Sequence, residues 1–444
     1  MSIFYYTLFG DGLYFIPEIM KEGEKVITYI DEKGYKRLSD GIIDKRESLT
    51  TWMSEITKED TVVFDYNTKN GVDICKKLKS KGITNIIGGT KFAYDLEHNR
   101  AFAMRMLAQN GVLIPDTFVI NSNAEGVKFI KQNEGRYVYK PDGEDCASEE
   151  TYVSENGKDM IDFINARPNQ TFILQKFIED AICEIGIECY FSKGKLVKGI
   201  SHTIETKRYG VGKDGIGRGP NTGCMSSVCW FSDEEEQGKI FQKTWAKGLH
   251  VFEEQEYTGA CDISGIIDKK GDFYALELTP RFGYSQDITL YRLLKMPIST
   301  FWKGLANGTI TEISIDLTKY ACSARGSIPP YPLEQRKPFE AQVKEIISDT
   351  VNTPVIWKPH ADVKYHWIDV KKNKQGELIT AGIDAIICEV TTTGKDLKIT
   401  QDVVISAMDD IQLGGFYFRE DMFVAAINQI PKLKSIGLFD NKNL

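Results

Sequence analysis

The sequence predicts a mixed α/β and α+β protein of several packed domains, and three observations carry that prediction. Short apolar runs alternate with amphipathic segments through the first hundred residues, strand-like alternation dominates the middle, and mixed strands and turns fill the remainder. No internal repeat, low-complexity tract or long linker separates these regions, so they are expected to pack against one another. At 444 residues, with 42% hydrophobic and 27% charged side chains, the chain has material for a sizeable core. That length fits about two to four domains.

From the N-terminus, SIFYYTLFG, VITYID, TVVFDY and ITNIIGG read as strands of a small parallel sheet, with a helix near Val72 to Lys81. They define an N-terminal α/β domain over 1–97. The Gly10-Asp11-Gly12 turn after the first strand reads as a structural turn ahead of an anion site, since one G-x-G is weak evidence. From about Thr90 to Asn110 the pattern is helical, with Leu96, Phe102, Ala103, Met106 and Leu107 on one face, Arg100 on the more polar side and Gly111 placed to end it. Pro115 to about Phe191 holds several strands and a helix around Asp159 to Asn165, a compact module inside a core domain of 98–310. Residues 311–444 read as a mixed C-terminal domain, with a hairpin at KKNKQGELIT and a turn at Gly414-Gly415.

Composition narrows the function classes. No run approaches the roughly 18 apolar residues of a membrane span. The start MSIFYYTLFGDG lacks the basic head and cleavage site of a signal peptide, so a cytoplasmic location without a membrane partner is expected. Nine cysteines without a C-x-x-C pair point to buried thiols rather than a zinc ribbon or a disulfide framework. A net charge of −8 argues against a nucleic-acid partner, which needs Lys and Arg to displace counterions. The expectation is small-molecule substrates and a monomer or small homo-oligomer.

The residues able to do chemistry cluster in a few segments. FYALELTPRFGY reads as a strand that places Phe273, Ala275, Glu277 and Thr279 on one face, with Arg281 near the same face and Leu276 and Leu278 on the other. Oxygen ligands suit magnesium and Arg clamps anionic oxygens, so the segment reads equally as a metal and phosphate site and as a structural ion pair. CEIGIECYF puts Ile185, Ile187, Cys189 and Phe191 toward a core and Glu184, Gly186, Glu188 and Tyr190 on the opposite face. FILQKFI, apolar except for Gln175 and Lys176, suits a buried connector whose backbone meets an adenine edge, or an edge strand. YVYKP sets Lys140 at a strand end, where an ammonium reaches a phosphate, although a lone Lys is usually solvated. ETKRYGVGKDGIGRGPNTG reads as a long flexible loop able to wrap an anion, or as a plain surface loop.

Taken in order, these pieces resemble the phosphoribosylamine–glycine ligase family of the ATP-grasp superfamily. The likeness covers almost the whole chain and rests on GVDICKKLKSKGITNIIGGTKFAYDLEHNRAFAMRMLAQNGVLIPDT, on ETKR followed by GRGPNTGCMSS, on YALELTPRFG, and on GELITAG and FYFREDM near the end. It implies an ATP-grasp fold: a pre-ATP-grasp domain at 1–97, a core at 98–310 with a mobile lid of about 117–189, and a C-terminal domain at 311–444. It also implies an ATP-dependent ligase that forms a carbon–nitrogen bond through an acyl phosphate and releases ADP and phosphate.

Site residues carry over from the resemblance one position at a time. Arg100 and Lys140 stand where the family has its ATP-phosphate cations; Gln175, Lys176 and Phe177 stand at the adenine hinge, and Glu184 at the ribose acceptor. Glu277 and Thr279 take the metal positions, which implies Mg2+ or Mn2+ beside ATP. Arg281, Lys207 and Arg208 take catalytic places, and Asn221, Thr222 and Gly223 belong to the substrate loop. Several departures from the pattern bear on the naming of substrates. Thr279 replaces an asparagine, GYSQ replaces GDPE, Glu205 stands for an aspartate, and GDGLYFIPEI replaces GGREHAL. The phosphate loop is reduced to Gly143, with Glu144, Asp145, Glu149 and Glu150 nearby. Three readings follow: a ligase of this architecture with altered substrates, an authentic phosphoribosylamine–glycine ligase of purine biosynthesis, or a non-catalytic nucleotide-binding protein.

Overall fold

The computed structural model describes residues 1–141, 151–232, 234–332 and 350–439. The chain begins with a five-stranded parallel sheet of β1 (Ile3–Thr7), β2 (Val26–Ile30), β3 (Asp44–Lys45), β4 (Thr61–Phe64) and β5 (Ile86–Ile87), in spatial order β3-β2-β1-β4-β5. Strands β1, β2 and β4 are buried along their whole length, as a sheet covered on both faces requires. Helices α1 (Phe15–Lys21), α2 (Leu49–Glu55) and α3 (Lys69–Ser80) supply that cover. Ser48 and Thr68 start the latter two by accepting from the Thr51 and Gly71 amides. Alternation along β1 sends Tyr6 to a core with Trp52 and Leu78, and Tyr5 to another with Phe15 and Trp302.

The helix expected over Thr90 to Asn110 is two helices, α4 (Lys91–His98) and α5 (Arg100–Gln109). Asn99 makes the break. Its backbone leaves the helical region at φ −113° and ψ 78°, and its side chain accepts from the Phe102 amide at 2.8 Å, capping the second helix. Arg100 therefore opens a new helix instead of lying along the flank of a long one.

A second module follows. Strands β6 (Thr117–Ile120), β7 (Tyr137–Pro141), β8 (Tyr152–Val153) and β9 (Phe172–Lys176) form an antiparallel sheet in the order β6-β9-β7-β8. Helices α6 (Asn123–Gln132) and α7 (Gly157–Asn165) complete it, the latter begun by an Asn156/Asp159 capping box. Ile130, Tyr137, Met160 and Phe172 give the module a core of its own. Its sheet ends at Lys176, short of the expected boundary near 189, because β10 (Ala181–Ser192) belongs to the next sheet.

That next sheet is the backbone of the molecule. It takes β10, β11 (Lys195–Gly210), β12 (Arg218–Phe231), β13 (Gly259–Asp268), β14 (Phe273–Thr279) and β15 (Tyr320–Ser327). After β16 (Ile356–Trp357) it adds β17 (Lys364–Trp367) and, beyond the hairpin of β18 (Val370–Lys372) and β19 (Leu378–Thr380), β20 (Ile386–Gly394). The eight strands run β14-β13-β10-β11-β12-β15-β20-β17, antiparallel throughout. Residues expected to form a separate C-terminal domain thus extend the central sheet. One face buries Ile185, Ile187 and Phe191 against helix Trp245–Glu254 and, farther along, Val390 against helix Leu397–Asp409. The other face sends Tyr190, Cys229 and Phe231 to the core shared with the N-terminal unit and presents polar residues to the short helix Tyr284–Leu290.

Two sequence expectations fail here for local reasons. The basic, glycine-rich segment expected as a long loop is mostly the β11–β12 hairpin, with Arg208 opposite Asn221 and Gly210 opposite Arg218. The fully buried Arg419 ties it down, donating from Nη1 to the Arg208 carbonyl at 2.6 Å and from Nη2 to the Gly215 carbonyl at 3.0 Å. In FYALELT the period of two also breaks, since Ser264 pairs with Glu277 but Gly265 with Ala275, which leaves Leu276 as an extra, bulged residue. Phe273, Ala275 and Leu278 enter the core, and Glu277 and Thr279 emerge on the polar side. The eight described cysteines are buried and free, and among the described residues no helix is long and apolar enough to cross a membrane.

Candidate active site

The ladder sets out the polar face in rows. Gly186 lies between Thr203 and Ser264, and Ser264 faces Glu277. One row on, Glu188 lies between Ser201 and Asp262, and Asp262 faces Thr279. An open recess sits over the first row, bordered by Glu184, Gly186, Glu205, Lys207, Ser264 and Gln286.

Glu277 is the electrostatic centre. The bulge that turns it out also frees the Leu276 carbonyl from the ladder, and Lys140 Nζ donates to that oxygen at 3.3 Å across from the second module. Arg100 reaches in from the start of α5 with Nη1 3.6 Å from Glu277 Oε2. Burial alone would raise the Glu277 carboxyl, but Arg100, Lys207, Lys140 and Arg281 outweigh it and hold it at about 2. Lys140 is only 6% exposed, and burial pulls it to about 8 against the opposing attraction of Glu277.

The flanking cations are each held by a carboxylate. Lys207 Nζ lies 2.7 Å from Glu184 Oε1 and 3.9 Å from Glu205 Oε2. Burial works against its charge, yet Glu184, Glu205 and Glu277 prevail and raise it above the usual lysine range. Burial pushes the Glu205 carboxyl up to about 7, with Lys207 opposing. Arg281 Nε donates to Glu97 Oε1 at 2.8 Å and its guanidinium stacks 4.4 Å from the Tyr284 ring centroid. Glu97 accepts in turn from Asn67 Nδ2 at 2.7 Å.

The expected site residues therefore separate into groups. Arg100, Lys140, Glu184, Lys207, Glu277 and Arg281 converge, with Thr279 one row beyond. Gln175 lies in the sheet of the second module opposite Val138, its Nε2 donating to Thr117 Oγ1 at 3.2 Å and its buried Oε1 without a partner. Lys176 is exposed, and the Phe177 ring lies under the Arg136 guanidinium at 3.7 Å. Arg208 Nη1 donates to the Gly219 carbonyl at 2.8 Å, so this guanidinium braces the hairpin. Thr222 Oγ1 donates to the Lys207 carbonyl at 2.7 Å and steadies the residue that does reach the cluster; Asn221 and Gly223 flank it on the same strand. Gly143, Glu144, Asp145, Glu149 and Glu150 lie outside the described residues.

Sequence reasoning passed over several contributors. Glu97 is 184 residues from Arg281, with no spacing signal to join them. Arg325 bonds Ser285 Oγ at 2.7 Å and pairs with Glu389 at 3.3 Å. Asp11 sits nearby, its carboxyl raised by burial and pulled back by Arg281 and Arg325. Alternation in CDIS put Asp262 and Ser264 on one face, the one signal available for that pair.

No family model matches the chain. It is 23% identical to the phosphoribosylamine–glycine ligase of Lactococcus lactis over 353 residues, 77% of this chain and 78% of that protein. The solved phosphoribosylamine–glycine ligase of Thermotoga maritima shares its architecture at TM-score 0.70 and 17% identity, covering 95% of this chain and 100% of that one. This is an ATP-grasp fold. A Campylobacter jejuni biotin carboxylase, solved as a β-γ-ATP complex, has the same fold at TM-score 0.65 and 14% identity, covering 98% of this chain and 97% of that one. In this fold, α5 meets the central sheet at Glu277 and the second module meets it at the adjacent Leu276 carbonyl.

Proposed function

We propose that the chain is an ATP-dependent ligase that joins a carboxylate to an amine through an acyl phosphate, releasing ADP and phosphate. One observation carries this reading: Arg100, Lys140, Lys207 and Arg281 act together on Glu277 beside an open polar recess. A triphosphate tail needs such a gathering of cations, since phosphoryl transfer is mostly positioning and charge neutralisation. Arg100 and Lys140 are assigned to the phosphates, Gln175 to Phe177 to adenine, and Glu184 to the ribose. In the reaction, a carboxylate oxygen attacks the γ-phosphorus, the bond to the β-bridging oxygen breaks, and ADP leaves. The amine nitrogen then attacks the acyl carbon, loses a proton, and expels inorganic phosphate. Arg281, fixed by Glu97, would hold the transferred phosphoryl oxygens, and Lys207 would face them from β11. Closure of the lid module, Thr117 to Lys176, would keep water from the intermediate.

Magnesium or manganese fits the donors present. Glu277 and Thr279 offer hard oxygens on the recess side, and among the described residues no group of three His, Cys, Asp or Glu forms a closed cage. That matches an ion held by one or two protein oxygens and shared with phosphates. When bound, it would supply positive charge between the phosphoryl oxygens.

The substrates are proposed to differ from those of phosphoribosylamine–glycine ligase. The sequence departures at Thr279, at GYSQ and at GDGLYFIPEI support that difference. Release of ADP over a panel of carboxylates and amines tests the ligase reading: turnover with some pair is expected. Nucleotide binding without turnover anywhere would favour the non-catalytic alternative. Rescue of a purine auxotroph lacking phosphoribosylamine–glycine ligase would instead favour the authentic enzyme.

A further inference from the structure

Lys207 sits where the sheet supports it least. The ladder of the β11–β12 hairpin pairs Thr206 with Ser226 but Arg208 with Asn221, so its register jumps at Lys207 and skips that residue. A second hold comes from the far end of the chain. Thr206 Oγ1 donates to the Met422 carbonyl at 3.2 Å, and Ser226 Oγ donates to the same oxygen at 2.5 Å. On the other side of Lys207, Arg419 Nη1 donates to the Arg208 carbonyl at 2.6 Å. One short segment thus grips the residues immediately before and after Lys207, although none of residues 417–422 borders the recess.

The grip is built for placement. Arg419 is wholly buried, and it closes a fork on Asp421, with Nε 2.8 Å from Oδ1 and Nη2 2.7 Å from Oδ2. Asp421 Oδ2 also accepts from the Gly212 amide at 3.0 Å, and Tyr417 Oη donates to the Tyr209 carbonyl at 3.0 Å. A Cβ at Gly217 would stand 2.1 Å from Arg419 Nη1, and one at Gly215 would stand 2.4 Å from the Ala425 amide nitrogen. These glycines seat the C-terminal segment against the hairpin. A buried ion pair adds little to stability over apolar packing, but it can fix one arrangement of the elements it joins.

Resting on the ligase reading for the role of Lys207, we infer that Arg419 is a positioning residue. Through the backbone on either side of Lys207, the segment Tyr417–Met422 sets the ammonium against Glu184, beside Glu205 and Glu277, where the phosphoryl oxygens are to be met.

The test is trace acetylation of the nucleotide-free full chain with acetic anhydride, read by mass spectrometry at Lys207 and at the exposed Lys213 of the hairpin tip. Arg419→Lys keeps the charge and loses the fork. It should raise labelling of Lys207 about ten-fold, the range of a charged hydrogen bond released. Thr206→Val, which removes one grip and leaves Arg419 intact, should raise it about three-fold with Lys213 unchanged, so a folding failure of Arg419→Lys leaves this variant decisive. Lys207 labelling unchanged in the folded variants, or a rise confined to Lys213, would overturn the inference. In the same variants kcat for ADP release should fall about ten-fold while ADP affinity by calorimetry stays within about two-fold, a split that lost stability alone would not produce. Unchanged turnover with Lys207 freed would also overturn it. If the unmodified protein releases no ADP with any substrate pair, the ligase reading fails, and the labelling still decides whether Arg419 places Lys207.

Discussion

Glu277 and Glu188 stand on one face of one sheet, in adjacent rows, and burial acts on both in the same direction. Glu277 is nevertheless held at about 2, because four cations surround it. Glu188 is raised well above the carboxylate range by burial, by Asp287 and by Asp262, and neither of its oxygens has a clear hydrogen-bond partner. Their neighbours decide the outcome. The row of Glu277 receives cations from α5, the second module and β11, three elements far apart in sequence. The row of Glu188 packs against a helix that offers Ser285, Gln286 and Asp287. Surrounding cations favour the charged form of one carboxylate, while burial and acidic neighbours disfavour it in the other.

The sharpest way to break that contrast is Glu277→Ala. With the central carboxylate gone, Arg100, Lys140 and Lys207 lose their common partner, and ADP release should fall by at least about 10²–10³-fold at saturating magnesium. Rates like those of the unmodified protein would place the chemistry elsewhere.

Arg281 comes next. Arg281→Met should lower turnover and also leave the half-buried Glu97 without its cation, a loss on the order of 1–2 kcal/mol in urea unfolding. Adding Glu97→Gln should restore much of the stability and none of the turnover. If stability and rate recover together, Arg281 is only a strut.

The Lys140 ammonium gives the contrast a pH signature. It is charged below about 8 and neutral above, so ATP affinity measured by calorimetry should weaken as pH rises through that value. Lys140→Arg should flatten the profile. The effect on folding has the opposite sign: between about 8 and the ordinary lysine value the unfolded chain binds more protons, so stability rises with pH in that window.

Glu188→Gln should disturb function least. A carboxyl raised in the folded state contributes its stability below its unfolded value of 4.5 and loses it as pH climbs. The amide should therefore stabilise the protein at pH 8 relative to pH 5 in paired urea melts, with turnover within about two-fold. A large loss of activity would move Glu188 from the core into the site.

Much of this architecture was legible in the sequence. Periodicity located the parallel N-terminal sheet, the core face of β10 and the β18–β19 hairpin, because each depends on local alternation of apolar residues. Family likeness supplied Arg100, Lys140, Glu184, Lys207, Glu277 and Arg281, and the fold brings them together. What remained hidden depends on tertiary pairing. The extra residue in β14 is invisible until Ser264 is known to face Glu277. The hairpin read as a loop is ordered by Arg419, some two hundred residues away. The residue that holds Arg281 lies on the other side of the chain's first domain crossing, at Glu97.

A crystal structure of the full chain with magnesium and a non-hydrolysable ATP analogue tests the central claim most directly. The account predicts the triphosphate in the recess, its terminal oxygens within hydrogen-bond distance of Lys140 and Arg281, and the ion against Glu277. A nucleotide bound elsewhere, with Arg100 and Glu277 still paired and the recess empty, would contradict it.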